Sequence, residues 1–495
     1  MNDEIARPRS SALLWALLFF LANLAFLVAF ADRDGYEGDD INSVVPMAHL
    51  TLAKHGLLVI YRYAWQPLSY ELGALIWSWF GTPTAVFLMA PVAGALTLGL
   101  LIYWLSREGR SPSTVPIALV ALLGVPELWF SALYYNSTIL GMPLLALAIL
   151  LVRRHPHPVS ALLAGLLTGA AVLLRMDFIL ICPLLAIAAW PRGEGLSKPI
   201  LVALGVVAAL AIGYFTGILD VQAVIETQRM SVAEISANAH LPGWDLRTKL
   251  SVASVSLSPV GWLLFLIGTP VALIHAATKR DWRALGWLIA AVISAYPMLN
   301  ILSPKYILPE APFLALLFVH ALDKLSPWLS SGREKAAFGA LALLALVPVF
   351  VSLSLTKRPP FLVPGLLATK PVGTHDGSRS YGGYLWLAMA TDGPQAQDAK
   401  QKQAAALAAS LLGPKGGNVV FLGGENVFDP GGMGWRHLQL LLARRGIIGS
   451  YTGPHMLRFD LGNGRWLILG RAMPDGLADR TYQLIDLRTP TDLYR

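Results

Sequence analysis

Cysteine is nearly absent. Cys182 stands alone inside an apolar run, which excludes an internal disulfide and any cysteine-based metal site and leaves a helix-packing role. Charge is scarce as well: Asp, Glu, Lys and Arg make up 14% of the 495 residues, against roughly 25% in an ordinary soluble domain. With 55% hydrophobic residues and a mean hydropathy of +0.57, the composition predicts a polytopic membrane protein. The net charge of +8 does not point to nucleic acid, because the basic residues cluster between apolar segments and no aromatic-interleaved basic run occurs. No His-Glu-x-x-His pattern, nucleophile elbow or triad order supports a hydrolase. The ten histidines lack ligand spacing. Gly423-Gly424 and the glycines around Met433 do not follow the spacing of a nucleotide loop and read as turns. No repeat of fixed period and no pair of similar halves appears.

What fills the chain instead is a series of membrane-length apolar runs. Eleven are expected, at 11–31, 83–105, 113–131, 137–152, 159–175, 177–190, 199–219, 259–277, 284–302, 304–322 and 336–356. The first follows Arg7 and Arg9 but is too long for a signal peptide and has no cleavage site before Asp32, so it reads as a retained span. With the N-terminus in the cytoplasm, the cytoplasmic connectors collect fourteen Lys or Arg and the outer ones eight over a greater length. This parity requires that 67–80 does not cross. Leu68, Leu72, Leu75, Ile76 and Trp79 recur there at helical spacing over a run too short to span, which predicts an interfacial helix.

Residues 1–356 thus form a transmembrane module, with a first outer loop at 32–82 and a later one at 220–258, and the tail lies on the outer face. From 366 to 495 glycine and polar residues rise. Strand-like runs at 418–422 and 465–469 and amphipathic helices at 404–412 and 435–445 predict a small α/β or α+β extracytoplasmic domain.

The outer end gathers the residues able to do chemistry. The first loop holds Asp32, Asp34, Glu37, Asp39 and Asp40, then Arg62, Tyr63 and Trp65, with helical apolar spacing over 44–58 between them. Carboxylates held beside a bilayer are costly without a task. One there can accept a proton from an acceptor hydroxyl or hold a divalent cation that gathers phosphate oxygens; for any single acid, capping or solvation competes, and the adjacent pair Asp39-Asp40 is the preferred site. Arg175 and Asp177 share a turn at the same level, where they serve a site or neutralise each other. Lys305 and Tyr306 lie in a proline-interrupted segment, where the lysine either snorkels or meets a lipid phosphate. Tyr134, Tyr135 and Asn136 are expected in the aromatic belt. In the loop at 220–258, Trp244 suits sugar stacking or interfacial anchoring.

In order along the chain stand Asp39-Asp40 soon after the first span, an aromatic, proline-containing stretch from Tyr63 to Leu68 before a surface helix, and the positive connector of Arg107 and Arg110. The Arg175-x-Asp177 turn and Lys305-Tyr306-Ile307-Leu308-Pro309 follow. This order resembles the bacterial integral-membrane glycosyltransferases of the GT-C superfamily, in the group of protein mannosyltransferases and the lipid A aminoarabinose transferase (glycosyltransferase families 39 and 83), over about 10–325. The resemblance implies an all-α polytopic GT-C fold of the bacterial inner membrane and a polyprenyl-phosphate sugar donor. The acceptor would be a lipid, glycan or protein. It implies that Asp39 or Asp40 lies at the catalytic centre as base or metal ligand, with Lys305, Tyr306 and Arg175 near the donor phosphate or headgroup. Asp177, Arg62, Tyr63, Trp65 and Glu37 would line the same outer cavity. The family usually has Asp-Glu where this chain has Asp-Asp, and a different tripeptide where it has Trp65-Gln66-Pro67, which leaves the substrate open. A transporter or flippase of lipid-linked sugars, and a scaffold displaying the tail, are the competing readings.

Reporter fusions test the topology: alkaline phosphatase joined after Arg495 is expected to be active, and the same enzyme joined after Arg154 inactive.

Overall fold

The computed structural model describes residues 9–31, 65–81, 83–108, 114–133, 135–154, 157–183, 197–225, 259–279, 304–325, 419–423, 449–453, 456–462, 465–470 and 482–486, with isolated positions between them. Helix α1 (Arg9–Phe30) is followed by α2 (Pro67–Phe80), α3 (Pro83–Phe87), α4 (Met89–Glu108), α5 (Thr114–Leu123), α6 (Glu127–Phe130), α7 (Ser137–Arg154) and α8 (Pro158–Leu174). A 3₁₀ segment, η1 (Met176–Ile181), precedes α9 (Ser197–Phe215) and α10 (Pro259–Lys279). A second, η2 (Pro304–Glu310), leads directly into α11 (Ala311–Leu325).

Among the described residues three helical stretches are long and apolar enough to cross a membrane: Ala12–Ala29, Thr84–Arg107 and Ser197–Phe215. The Ala12–Ala29 window is only 17% buried, and Leu13, Leu14, Trp15, Leu17, Leu18 and Leu21 all point outward. Water would not tolerate that apolar face; lipid tails do. The Thr84–Arg107 stretch is 67% buried, which makes α4 a central helix. It packs against α1, α5 and α7; α7 packs on α8, α8 on α9, and α11 on α5 and α10.

Helices in lipid gain little from hydrophobic burial against one another, so they associate where small residues let backbones approach. The α8/α9 seam shows this: a β-carbon on Gly165 would fall on the Val202 carbonyl, and one on Gly205 on the Leu162 carbonyl.

A helix stands where one is expected at 67–80: α2 starts at Pro67 and is capped by Gly81. It buries Tyr70, Gly73 and Trp77 and exposes Leu75, Trp79 and Phe80. Three expected spans are not regular α-helix throughout. The run at 113–131 is helical only to Leu123 and resumes as the short α6, because Pro126 supplies no donor and the Gly261 backbone closes on the Gly124 carbonyl. The run at 177–190 opens as 3₁₀ after an extended Arg175. The run at 304–322 begins as 3₁₀ through Pro309.

Toward the C-terminus lies a five-stranded sheet of β1 (Val419–Gly423), β2 (Gly449–Gly453), β3 (Met456–Gly462), β4 (Arg465–Gly470) and β5 (Tyr482–Asp486), in the order β2-β3-β4-β1-β5. Strand β1 runs parallel to both neighbours, while β2, β3 and β4 are antiparallel. Two of these strands, β1 and β4, fall on the runs expected at 418–422 and 465–469. Phe459 pairs with Leu467 and both are fully buried, whereas Arg458 stacks on Trp466 at 3.5 Å. The helices expected at 44–58, 404–412 and 435–445 lie outside the described residues, as do most of the segments 284–302 and 336–356.

Gly165→Leu is expected to force α8 from α9 and to destabilise the fold by about 1–3 kcal/mol or more. Leu163→Ala, on the exposed side of the same helix, should shift the detergent melting temperature far less.

Candidate functional site

Where α8 ends, the backbone turns extended at Arg175 (φ −161°, ψ 120°) and re-coils as η1. The turn places Asp177 beside Arg175, and Arg175 Nε donates to Asp177 Oδ2 at 2.7 Å. Arg175 Nη1 donates to Ser137 Oγ at 3.2 Å, in the first turn of α7. Arg175 and Asp177 are 6% and 8% exposed. At that burial either charge alone would be strongly destabilising, so the pair and its hydroxyl partner stand or fall together. Of the two roles open to these charges, mutual neutralisation is therefore present.

The segment joining α6 to α7 carries a second set of buried polar groups. Glu127 Oε1 accepts from Ser131 Oγ at 2.5 Å. Asn136 Nδ2 donates to the Ser131 carbonyl at 2.6 Å while its Oδ1 accepts from Ile139 N at 2.9 Å, an N-cap for α7. Trp129 Nε1 donates to Asn23 Oδ1 on α1 at 2.8 Å. The Tyr135 and Ser69 hydroxyls lie 2.5 Å apart, and the phenol also reaches the Ser69 carbonyl at 3.3 Å. Tyr135 is fully buried, which corrects its expected place in the aromatic belt: its hydroxyl is taken up by helix α2 rather than by headgroups.

These groups share one end of the bundle, the end where α4 and α7 begin and α8 finishes. Helix α2 caps it. Tyr70 and Trp77 join Tyr135, Leu140 and Leu174 in one apolar cluster, and α2 packs on α8, whose last residue adjoins Arg175. Segment η2 packs against α6 and α7, which brings the backbone of Lys305 and Tyr306 to the same layer. Glu310, at the end of η2, is 3% exposed, and its Oε1 has no hydrogen-bond partner among the described residues.

Of the residues expected to form the site, Arg175 and Asp177 are in direct contact, and Trp65, half-buried before α2, packs on the core. Lys305 and Tyr306 are placed by their backbone alone. Glu37, Asp39, Asp40, Arg62 and Tyr63 lie outside the described residues. Sequence reasoning gave no role to Ser69, Glu127, Ser131, Ser137 or Glu310. The available signal was Glu127, an acid inside an otherwise apolar run. Among the described residues no group of three or more His, Cys, Asp or Glu could hold a metal ion.

No protein-family model matches the chain, and no curated protein matches it. Among solved structures, ArnT from Cupriavidus metallidurans in the apo state aligns with a TM-score of 0.51 at 18% identity, over 87% of this chain and 85% of that one. ArnT from Cupriavidus metallidurans bound to undecaprenyl phosphate aligns with a TM-score of 0.49 at 16% identity, over 87% and 88%. The likeness to the apo structure is one of fold, and it is the fold that the ordered motifs imply.

Asp177→Ala leaves Arg175 charged and buried and is expected to cost about 3–5 kcal/mol. The double replacement Arg175→Met/Asp177→Leu should recover much of that loss in the detergent melting temperature.

Proposed function

We propose that this chain is an integral-membrane glycosyltransferase that moves a sugar from a polyprenyl-phosphate donor to a lipid, glycan or protein acceptor on the extracytoplasmic side. The observation that carries the reading is the convergence at one end of a GT-C-like bundle: the stem of the acidic first loop, the Arg175–Asp177 break and the η2 segment bearing Lys305 meet there. The fold shared with ArnT supports it, and the solved complex of ArnT makes undecaprenyl phosphate the carrier to try first.

In the reaction the acceptor hydroxyl oxygen attacks the anomeric carbon. The bond from that carbon to the phosphate oxygen breaks, and the polyprenyl phosphate leaves with the electron pair. Asp39 or Asp40 takes the hydroxyl proton, and Lys305 offsets the charge growing on the phosphate. Arg175, its charge offset by Asp177 and its guanidinium held by Ser137, lines the same region. A divalent cation held by Asp39 or Asp40 would gather the phosphate oxygens.

The test is transfer in reconstituted proteoliposomes from a panel of radiolabelled undecaprenyl-phosphate sugars to envelope extracts. Wild type is expected to form labelled product, with Asp39→Asn or Asp40→Asn at least about a hundredfold slower. Label that changes leaflet without covalent transfer would replace this reading by a flippase.

A further inference from the structure

The two helices that flank the acidic stretch, α1 and α2, are both tied to one short segment of the bundle. The loop leaves from the end of α1, and about two turns before that end Asn23 accepts a hydrogen bond from Trp129 at 2.8 Å and donates its own Nδ2 to the Phe19 carbonyl at 2.8 Å. It returns at α2, where Ser69 and Tyr135 are 2.5 Å apart. Trp129 and Tyr135 lie six residues apart, both within the 127–136 stretch that the Glu127–Ser131 and Ser131–Asn136 hydrogen bonds close. The Asn136 cap leads to Ser137, which holds Arg175.

We propose that Trp129 and Tyr135 are positioning residues. They clamp α1 and α2, the helices that flank the acidic stretch, to the layer that fixes Arg175 and Asp177, and so hold that end of the bundle in the alignment the reaction needs. The proposal rests on the transferase reading above. It concerns residues that reach the reaction only through the helices they hold.

The geometry favours this role over simple filling of the core. Each clamp is a directional hydrogen bond between side chains far apart in sequence, and all four residues are buried among apolar neighbours. Aromatic packing alone needs neither hydroxyl nor indole N–H. Removing one partner leaves the other's polar group stranded, which costs more than the bond itself is worth. A helix displaced by about an ångström beside a reaction centre costs alignment long before it unfolds.

Tyr135→Phe keeps the ring in its cluster with Tyr70, Trp77, Leu140 and Leu174 and removes only the hydroxyl. Asn23→Leu breaks the other clamp. Transfer kinetics are measured in proteoliposomes with the undecaprenyl-phosphate sugar that wild type uses. In parallel, electron-spin distances are measured between labels at Ser78→Cys on α2 and Ile179→Cys on η1, in a Cys182→Ala background.

The expected result for Tyr135→Phe is a kcat lower by roughly ten- to a hundredfold, a donor KM within about twofold of wild type, and a broadened label distance. Ser69→Ala should give the same loss, and Tyr135→Phe/Ser69→Ala no more than either alone. Asn23→Leu should lower kcat in the same way with the α2 distance unchanged. Unaltered kcat in Tyr135→Phe and Asn23→Leu, with only a lower melting temperature, overturns the clamp. Wild type without transfer from any donor overturns the transferase reading instead, and the label distances then still decide whether Tyr135 holds α2.

Discussion

Burying a charge where no water can follow is the constraint around which this molecule is arranged. Arg175 and Asp177 sit at the end of an otherwise apolar helix, and the chain meets the cost by breaking that helix. The extended residue at the break turns the guanidinium toward the carboxylate two positions on, and the first turn of α7 supplies a hydroxyl for a second of its donors. Other features follow from the need to keep this layer dry and paired. Helix α2 packs on α8, Asn136 closes the start of α7, and Glu127 is held by Ser131.

The sequence was most readable where periodicity or a rare residue type left one economical solution. The 67–80 helix followed from apolar spacing together with a length too short to span, and Pro67 and Gly81 bound it in the structure. Two strands near the C-terminus followed from short β-rich runs. The proximity of Arg175 and Asp177 was legible because charges in an apolar stretch must find each other.

What escaped depended on contacts between distant segments. Hydropathy averages through Pro126, so the break in the 113–131 run is invisible to it, and the close approach of Gly124 and Gly261 joins residues far apart in the chain. Tyr135 has the sequence setting of an interfacial aromatic. Only the arrival of Ser69 from another helix turns its hydroxyl inward. The polar residues that proved to be connected, Ser69, Ser131 and Ser137, are individually ordinary.

The seam between α8 and α9 bears on how the bundle can move. Side-chain seams open by rotamer changes, which are cheap and fast. At Gly165 and Gly205 there is backbone against backbone and nothing to swing aside. The two helices therefore travel as one board, and any sideways opening of the bundle must be cut along a different plank line.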